Sequence, residues 1–377
     1  MIRAAVLAAI MGSAQPSRAY DFKLTENIWG AVDTHLWGSY VWNGDEPGFF
    51  ARGLSVGTLN YRFDNGITVG GAVTAQYFTN YDEDIDNLGD GPHGDLYTAI
   101  GYVSGPWGDV LYGKTFGAVT ELIDIAPSAI GVDYSVNTPF FIHVERPRFA
   151  PRSPTASPDF RQPHERFGYY SGEFDGFRLG VTYAESIQDE GAETLTNIHS
   201  KNAFDVALVW TGQIGDVRLR TTGGYQQAEA NVVPANVSTA GDQYHWAAGA
   251  TLWWGNWILG GNYAYTDNTL GLRNVDNESW QFGVMYTWRK FAFSASRGES
   301  TDLYSRDLVA NPVLGGLGDP TMKLSELAVS YSLHENAKLS VAAIKAEYDD
   351  RLTFPPFITD TVSNSGTYGV VQLYVHF

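Results

Sequence analysis

The sequence predicts an all-β fold, a 16-stranded antiparallel transmembrane β-barrel with short periplasmic turns and long extracellular loops. Three observations carry that expectation. Apolar and polar residues alternate with a period of two in segment after segment. Short and long connections alternate strictly along the chain. And no stretch beyond the N-terminus is long and apolar enough for a helical span.

The alternation is plainest at Trp280, Phe282, Val284, Tyr286 and Trp288, which are interleaved with Gln281, Gly283, Met285 and Thr287. Phe177, Leu179, Val181 and Tyr183 repeat the pattern, as do Phe204, Val206, Leu208 and Trp210, and then Trp257, Leu259, Gly261, Tyr263 and Tyr265. Aromatic residues stand at the ends of these runs. A barrel places them at its two headgroup layers. The chain holds 41 Gly and, as Tyr, Phe and Trp, 22, 20 and 11 aromatics. Glycine suits turns and closely packed strands. The mildly polar hydropathy fits a barrel as well as a soluble protein, because lipid-facing and water-facing residues average out.

Tight turns are expected at Asp64-Asn65-Gly66, Gly105 to Gly108, Glu173 to Gly176, Gly212 to Gly215, Gly255-Asn256, Arg289-Lys290 and His334 to Ala337. Between them lie longer polar connections, the longest over 118–164. Seven turns and eight loops join 16 strands; 14 or 18 strands are the alternatives if one hairpin is misread. A soluble β-sandwich would alternate too, but has no reason to sort its loops by parity. The last strand, Thr367 to Phe377, must pair with the first, near Ile28 to Trp42, to leave no open edge in lipid.

Arg3, the apolar run from Ala4 to Gly12 and the small residues Ser17 and Ala19 read as a secretory signal over residues 1–19, cleaved before Tyr20. The expected mature chain, 20–377, is one barrel domain. Losing Arg3 and Arg18 moves the net charge from −18 to −20, which argues against nucleic acid as a partner. The chain has no cysteine, hence no disulfide, thiolate metal site or thiol nucleophile. No cofactor and no metal are expected. The acids Asp82, Glu83, Asp84, Asp86 and Asp90 fail the EF-hand spacing, since Leu88 takes a ligand position; they read as a solvated loop, with divalent bridging to lipopolysaccharide as the alternative.

Two segments are sharper than the pattern. The first is Trp107-Gly108-Asp109-Val110-Leu111-Tyr112-Gly113-Lys114-Thr115-Phe116-Gly117. The second runs from Glu165-Arg166-Phe167-Gly168-Tyr169-Tyr170-Ser171 to Gly176-Phe177. They resemble, in that order around one long loop, the fifth strand and following hairpin of the trimeric general porins of Gram-negative bacteria. The terminal Phe377 resembles the signal read by that family's barrel-assembly machinery. The resemblance implies passive diffusion of small polar solutes through the bacterial outer membrane, a homotrimer in contact with lipid and lipopolysaccharide, and a third loop folded into the lumen. In place of the enteric Pro-Glu-Phe-Gly-Gly tip stands Pro127-Ser128-Ala129-Ile130-Gly131.

Setting apolar residues outward on each strand points Arg52, Arg62, Lys114, Arg166, Arg178, Arg218 and Arg220 into the lumen. Glu121, Asp124 and Asp133 lie on the constriction loop. Cations on the wall facing acids on the loop would set a transverse field at the narrowest point. Lys345 and Glu347 fit no consistent phase. Asp33 and His35 share one face of the first strand with Trp29 and Trp37, and Trp253 joins them as a candidate lumen aromatic. A substrate-selective channel for sugars or organic acids is the second reading. A barrel enzyme or surface-binding protein is the third; it lacks a visible Ser, His and acid constellation.

Overall fold

Residues whose side chains alternate between hydrocarbon and water gain nothing from a helix, which would mix the two faces; an extended strand separates them. The computed structural model describes residues 20–42, 48–79, 93–130, 163–187, 198–232, 241–268, 275–304, 319–354 and 358–376. Among the described residues, seventeen strands make one sheet. They are β1 (Tyr20–Lys23), β2 (Ile28–Trp42), β3 (Gly48–Arg62), β4 (Thr68–Thr79), β5 (His93–Gly105), β6 (Gly108–Thr115), β7 (His164–Ser171), β8 (Phe177–Ile187) and β9 (Ile198–Ile214), followed by β10 (Val217–Val232), β11 (Gln243–Trp254), β12 (Trp257–Asp267), β13 (Val275–Trp288), β14 (Phe291–Tyr304), β15 (Thr321–His334), β16 (Ala337–Phe354) and β17 (Ile358–His376). One short helix, α1 (Ala118–Leu122), follows β6.

Every strand from β2 to β17 pairs antiparallel with its sequence neighbour, and β17 pairs with β2 from Gly369↔Trp42 to His376↔His35. That pairing closes a barrel of sixteen strands. The short β1 takes up the edge of β2 that β17 leaves, pairing Tyr20↔Val32 to Lys23↔Trp29. Between them, β17 and β1 cover the edge of β2 over His35–Trp42 and Trp29–Val32, as closure in lipid requires.

All seven expected tight turns join consecutive strands. The Glu173–Gly176 turn shows the local chemistry. Asp175 and Gly176 both have positive φ, 52° and 81°. An Asp-Gly pair tolerates that conformation, which matches the twist of a hairpin.

The outer face carries the apolar side chains: Val32, Leu36 and Tyr40 on β2, Leu59 and Tyr61 on β3, Val69, Val73 and Tyr77 on β4. On β11 the outward residues run from Trp254 through Leu252 to Trp246 and Tyr244, aromatic at both ends. A span of ten residues covers about 25 Å of membrane at the usual tilt.

One sector inverts this order and accounts for Lys345 and Glu347. In the upper halves of β15, β16 and β17, Met322, Leu324, Ile344, Ala346, Tyr348, Tyr368 and Val370 point inward, fully or nearly buried, and pack with Ala126, Ala129 and Ile130. The outward positions become polar. Strand register sets Glu299, Lys323, Glu347 and Ser365 side by side across four strands, with Arg297, Ser325, Lys345 and Thr367 in the next row. Lys345 Nζ donates to Glu347 Oε1 at 2.8 Å, and Lys323 lies 3.8 Å from Glu299.

Candidate pore and constriction

The segment after β6 enters the barrel. Its first turn, α1, rests on β8, β9 and β10. The Ala118 N–H donates to Thr182 Oγ1 at 3.1 Å and the Asp124 N–H to Thr222 Oγ1 at 3.0 Å. Further on, the Ala129 N–H donates to Ser294 Oγ at 2.8 Å, and Ser128 Oγ to Glu326 Oε1 at 2.6 Å. Lys338 Nζ on β16 donates to the Ala129 carbonyl at 3.0 Å. Residues 118–130 therefore lie inside the lumen along the wall, from β8 round to β16.

A trough of small residues receives them. Lumen-facing Gly224 on β10, Gly249 on β11 and Gly283 on β13 lie directly beneath the segment. A Cβ at Gly224 would meet Val119 side-chain atoms at 2.9 Å; at Gly249 it would meet Asp124 at 3.1 Å; at Gly283, the Pro127 carbonyl oxygen at 3.0 Å. Val119, Leu122 and Ile130 are buried in the result, at 0%, 5% and 0% exposure. Burying each such side chain is worth ~1.5–3 kcal/mol, which adds to the wall hydrogen bonds in favouring this position of the segment.

The acids of the segment turn toward the wall. Asp124 accepts a charge-assisted hydrogen bond from Arg220, whose other nitrogen donates to the Leu122 carbonyl at 2.8 Å. Glu121 is buried beside Thr115, Arg178 and Arg166. Burial raises its carboxyl to about 7, against the lowering pull of Arg178, the Thr115 hydrogen bond and Arg166. Asp124 and Arg220 thus stand in contact rather than opposed across a gap.

The expected lumen cations divide into groups. Arg166 is fully buried and donates to Asp205 Oδ2 at 2.7 Å, where Thr182 also donates at 3.0 Å. Asp205 is just as buried, and the chain at Gly117 passes directly over it. Arg178 lies over the Tyr170 ring and 3.9 Å from Asp109. Arg218 lies over Trp253, its guanidinium carbon 5.1 Å from the ring centroid, and Arg52 over Trp37 at 5.6 Å. Arg62 has the lumen phase of β3 but is exposed at the turn end of that strand. Lys114 departs from expectation. It shares the exposed side of β6 with Tyr112 and donates to the Leu96 carbonyl at 3.2 Å. Leu111, on the other side, packs inward against Ala118 and Val119. Apolar residues occupy both faces of this strand, so polarity does not mark its inside. Asp133, Phe377, residues 1–19, the later part of 118–164 and the acids at 82–90 lie outside the described residues.

Asp205, Thr182 and the glycine trough are not among the lumen residues expected from the sequence. Asp205 was legible as an inward residue from its apolar neighbours Phe204 and Val206. The glycines recur at lumen-phase positions on neighbouring strands, a signal available without coordinates.

A closed, lipid-girdled barrel with a largely polar interior and a segment folded inside it defines a membrane channel. A profile of the Gram-negative porins matches residues 4–351, and the chain belongs to that family. It is an outer-membrane channel of the bacterial envelope. Similar solved structures include OmpF of Salmonella typhi in complex with daunomycin, with TM-score 0.65 and 14% identity over 95% of this chain and 100% of that one. The outer-membrane channel DcaP of Acinetobacter baumannii gives TM-score 0.64 and 11% identity, covering 94% and 99% of the two chains. The anion-selective porin of Comamonas acidovorans gives 0.60 and 14%, covering 93% and 100%. No curated sequence matches the chain.

Proposed function

We propose that the mature chain, 20–377, is a passive diffusion pore for small hydrophilic solutes and ions rather than an enzyme. The observation that carries this reading is the placement of 118–130 against the inner wall, where the segment takes up part of the bore. Arg52, Arg178 and Arg218 line the lumen, while Glu121 and Asp124 are turned to the wall. The pore therefore favours anions weakly. Guanidinium groups lying over Trp37, Tyr170 and Trp253 also suit flat organic anions, which supports a second reading as a channel selective for organic acids.

Planar-bilayer recording tests both readings. Discrete ohmic steps are expected, closing in groups of three for a homotrimer. In a salt gradient the reversal potential is displaced toward that of chloride. Block by a millimolar aromatic carboxylate supports the selective reading, and an unchanged current removes it. Silence at high protein concentration contradicts the pore.

The charged rows on β14–β17 begin roughly 10–15 Å above the lower aromatic residues by strand rise and tilt. Long Lys and Arg stems extend toward the outer headgroup layer from there. We assign to this strip contact with lipopolysaccharide phosphates. Replacing Lys323 and Lys345 with Gln is expected to lower the lipopolysaccharide retained through purification by at least about half, since each lysine supplies one charge-assisted contact. Unchanged retention contradicts the assignment.

A further inference from the structure

The geometry points to a divalent transition-metal site on the lumen wall at the closure seam, formed by Asp33, His35 and His376. Asp33 and His35 are two residues apart on β2, so both project from the same face. His376 is the direct cross-strand partner of His35 on β17. The fold thus gathers three donors from the two ends of the chain, at the end of β17 nearest the β15–β16 turn.

The distances converge on one point. His35 Nε2 is 3.1 Å and His376 Nε2 is 2.7 Å from the same Asp33 oxygen. Ligand atoms from the three residues all lie within 4.8 Å of one another. Four ligands around zinc, at 2.0–2.2 Å from the metal, stand about 3.3 Å apart. The Asp33 carboxylate, with 22% of its side chain exposed, has room to withdraw by that difference. Two imidazoles and one carboxylate are a borderline donor set suited to zinc, with a fourth position left to water on the bore side.

The surroundings orient the ligands. His35 Nδ1 is 2.6 Å from Tyr374 Oη. With Nδ1–H donating to that oxygen, the Nε2 lone pair is free to bind metal. Reversing one hydrogen bond converts the site from its carboxylate-bonded state to its metal-bound state. Trp37 stacks on His35 with centroids 5.8 Å apart, and His35 stacks on His376 at 4.7 Å. Those contacts hold the rings in place while leaving their edges directed at Asp33. A metal here joins the first and last full strands of the barrel.

The test uses the folded full chain in detergent, stripped with EDTA and titrated with zinc chloride in a calorimeter. One zinc per chain at micromolar affinity is expected. Asp33→Asn and His35→Gln each weaken binding by about 100-fold or more, and Tyr374→Phe, which only positions His35, by about tenfold. Copper(II) in place of zinc gives an electron spin resonance signal with two-nitrogen coupling, reduced to one nitrogen in His35→Gln. Zinc also raises the temperature at which the barrel unfolds in dodecyl sulfate, in the parent chain but not in His35→Gln. His376→Gln is the direct variant but stands next to the chain end; should it fail to fold, the two β2 variants carry the test. No zinc uptake by the parent chain, or equal uptake by the parent and both β2 variants, overturns the site. None of these readouts depends on conduction.

Discussion

Removing residues 119–129, with a short glycine linker between Ala118 and Ile130, is expected to raise single-channel conductance roughly two-fold, because current follows the free cross-section at the narrowest level. The segment lies on the inner wall from β8 to β16 and is anchored at both ends by hydrogen bonds to wall side chains. A gentler version fills the trough. Leu in place of Gly224 puts a side chain where Val119 now sits, and the same substitution at Gly249 displaces Asp124. Overpacking of this kind costs ~1–3 kcal/mol, comparable to the burial of one anchor residue. The segment is then expected to leave the wall part of the time and the current to flicker. Steady, unaltered conductance in both the deletion and the filled variants would mean that 118–130 does not set the bore.

The second large effect is on stability. Asp205→Ala leaves the Arg166 guanidinium buried without its carboxylate. Breaking a buried pair from one side costs ~3–5 kcal/mol, whereas replacing both partners by apolar residues costs little or even stabilises. The single variant is expected to unfold at markedly lower denaturant, and Arg166→Met with Asp205→Leu to recover most of the loss. Thr182 also donates to Asp205 and accepts from the Ala118 N–H. The single variant therefore also loosens the start of the inserted segment. Equal denaturation midpoints for Asp205→Ala and the parent would show that the pair is not structural. An unrecovered double variant would show that the charge, not its burial, matters.

The turns and strands were legible because their signals are local. Asp175-Gly176 announces its own conformation, and Phe177 to Tyr183 announces its own faces. Closure was legible too, since the final strand has no other partner that avoids an open edge. The site was less so. The rule that apolar residues face lipid holds on β11 and β12 and fails in the upper halves of β15 to β17. There Ile344 and Tyr368 face inward against the inserted segment, and Lys345 and Glu347 face outward. A strand cannot signal what another part of the chain will place against it. The same holds for Leu111 and Lys114 on β6. Arg166 was visible as a lumen cation, but its partner Asp205 sits 39 residues away and depends on register across three strands. His35 was singled out with Asp33, yet the third member, His376, comes from the other end of the chain and appears only when β17 meets β2.

A pore of this kind is defined by which side chains meet water in the bore and which meet the membrane. The absence of native cysteine makes single-cysteine labelling in intact outer membranes the most direct measurement of it. A cysteine at Arg218, beside Trp253 on the inner face, is expected to react with a small water-soluble cationic thiosulfonate and to shift the current. A cysteine at Leu327, on the outer face of β15, is expected to stay unmodified. Reaction at 327 with protection at 218 would contradict the arrangement.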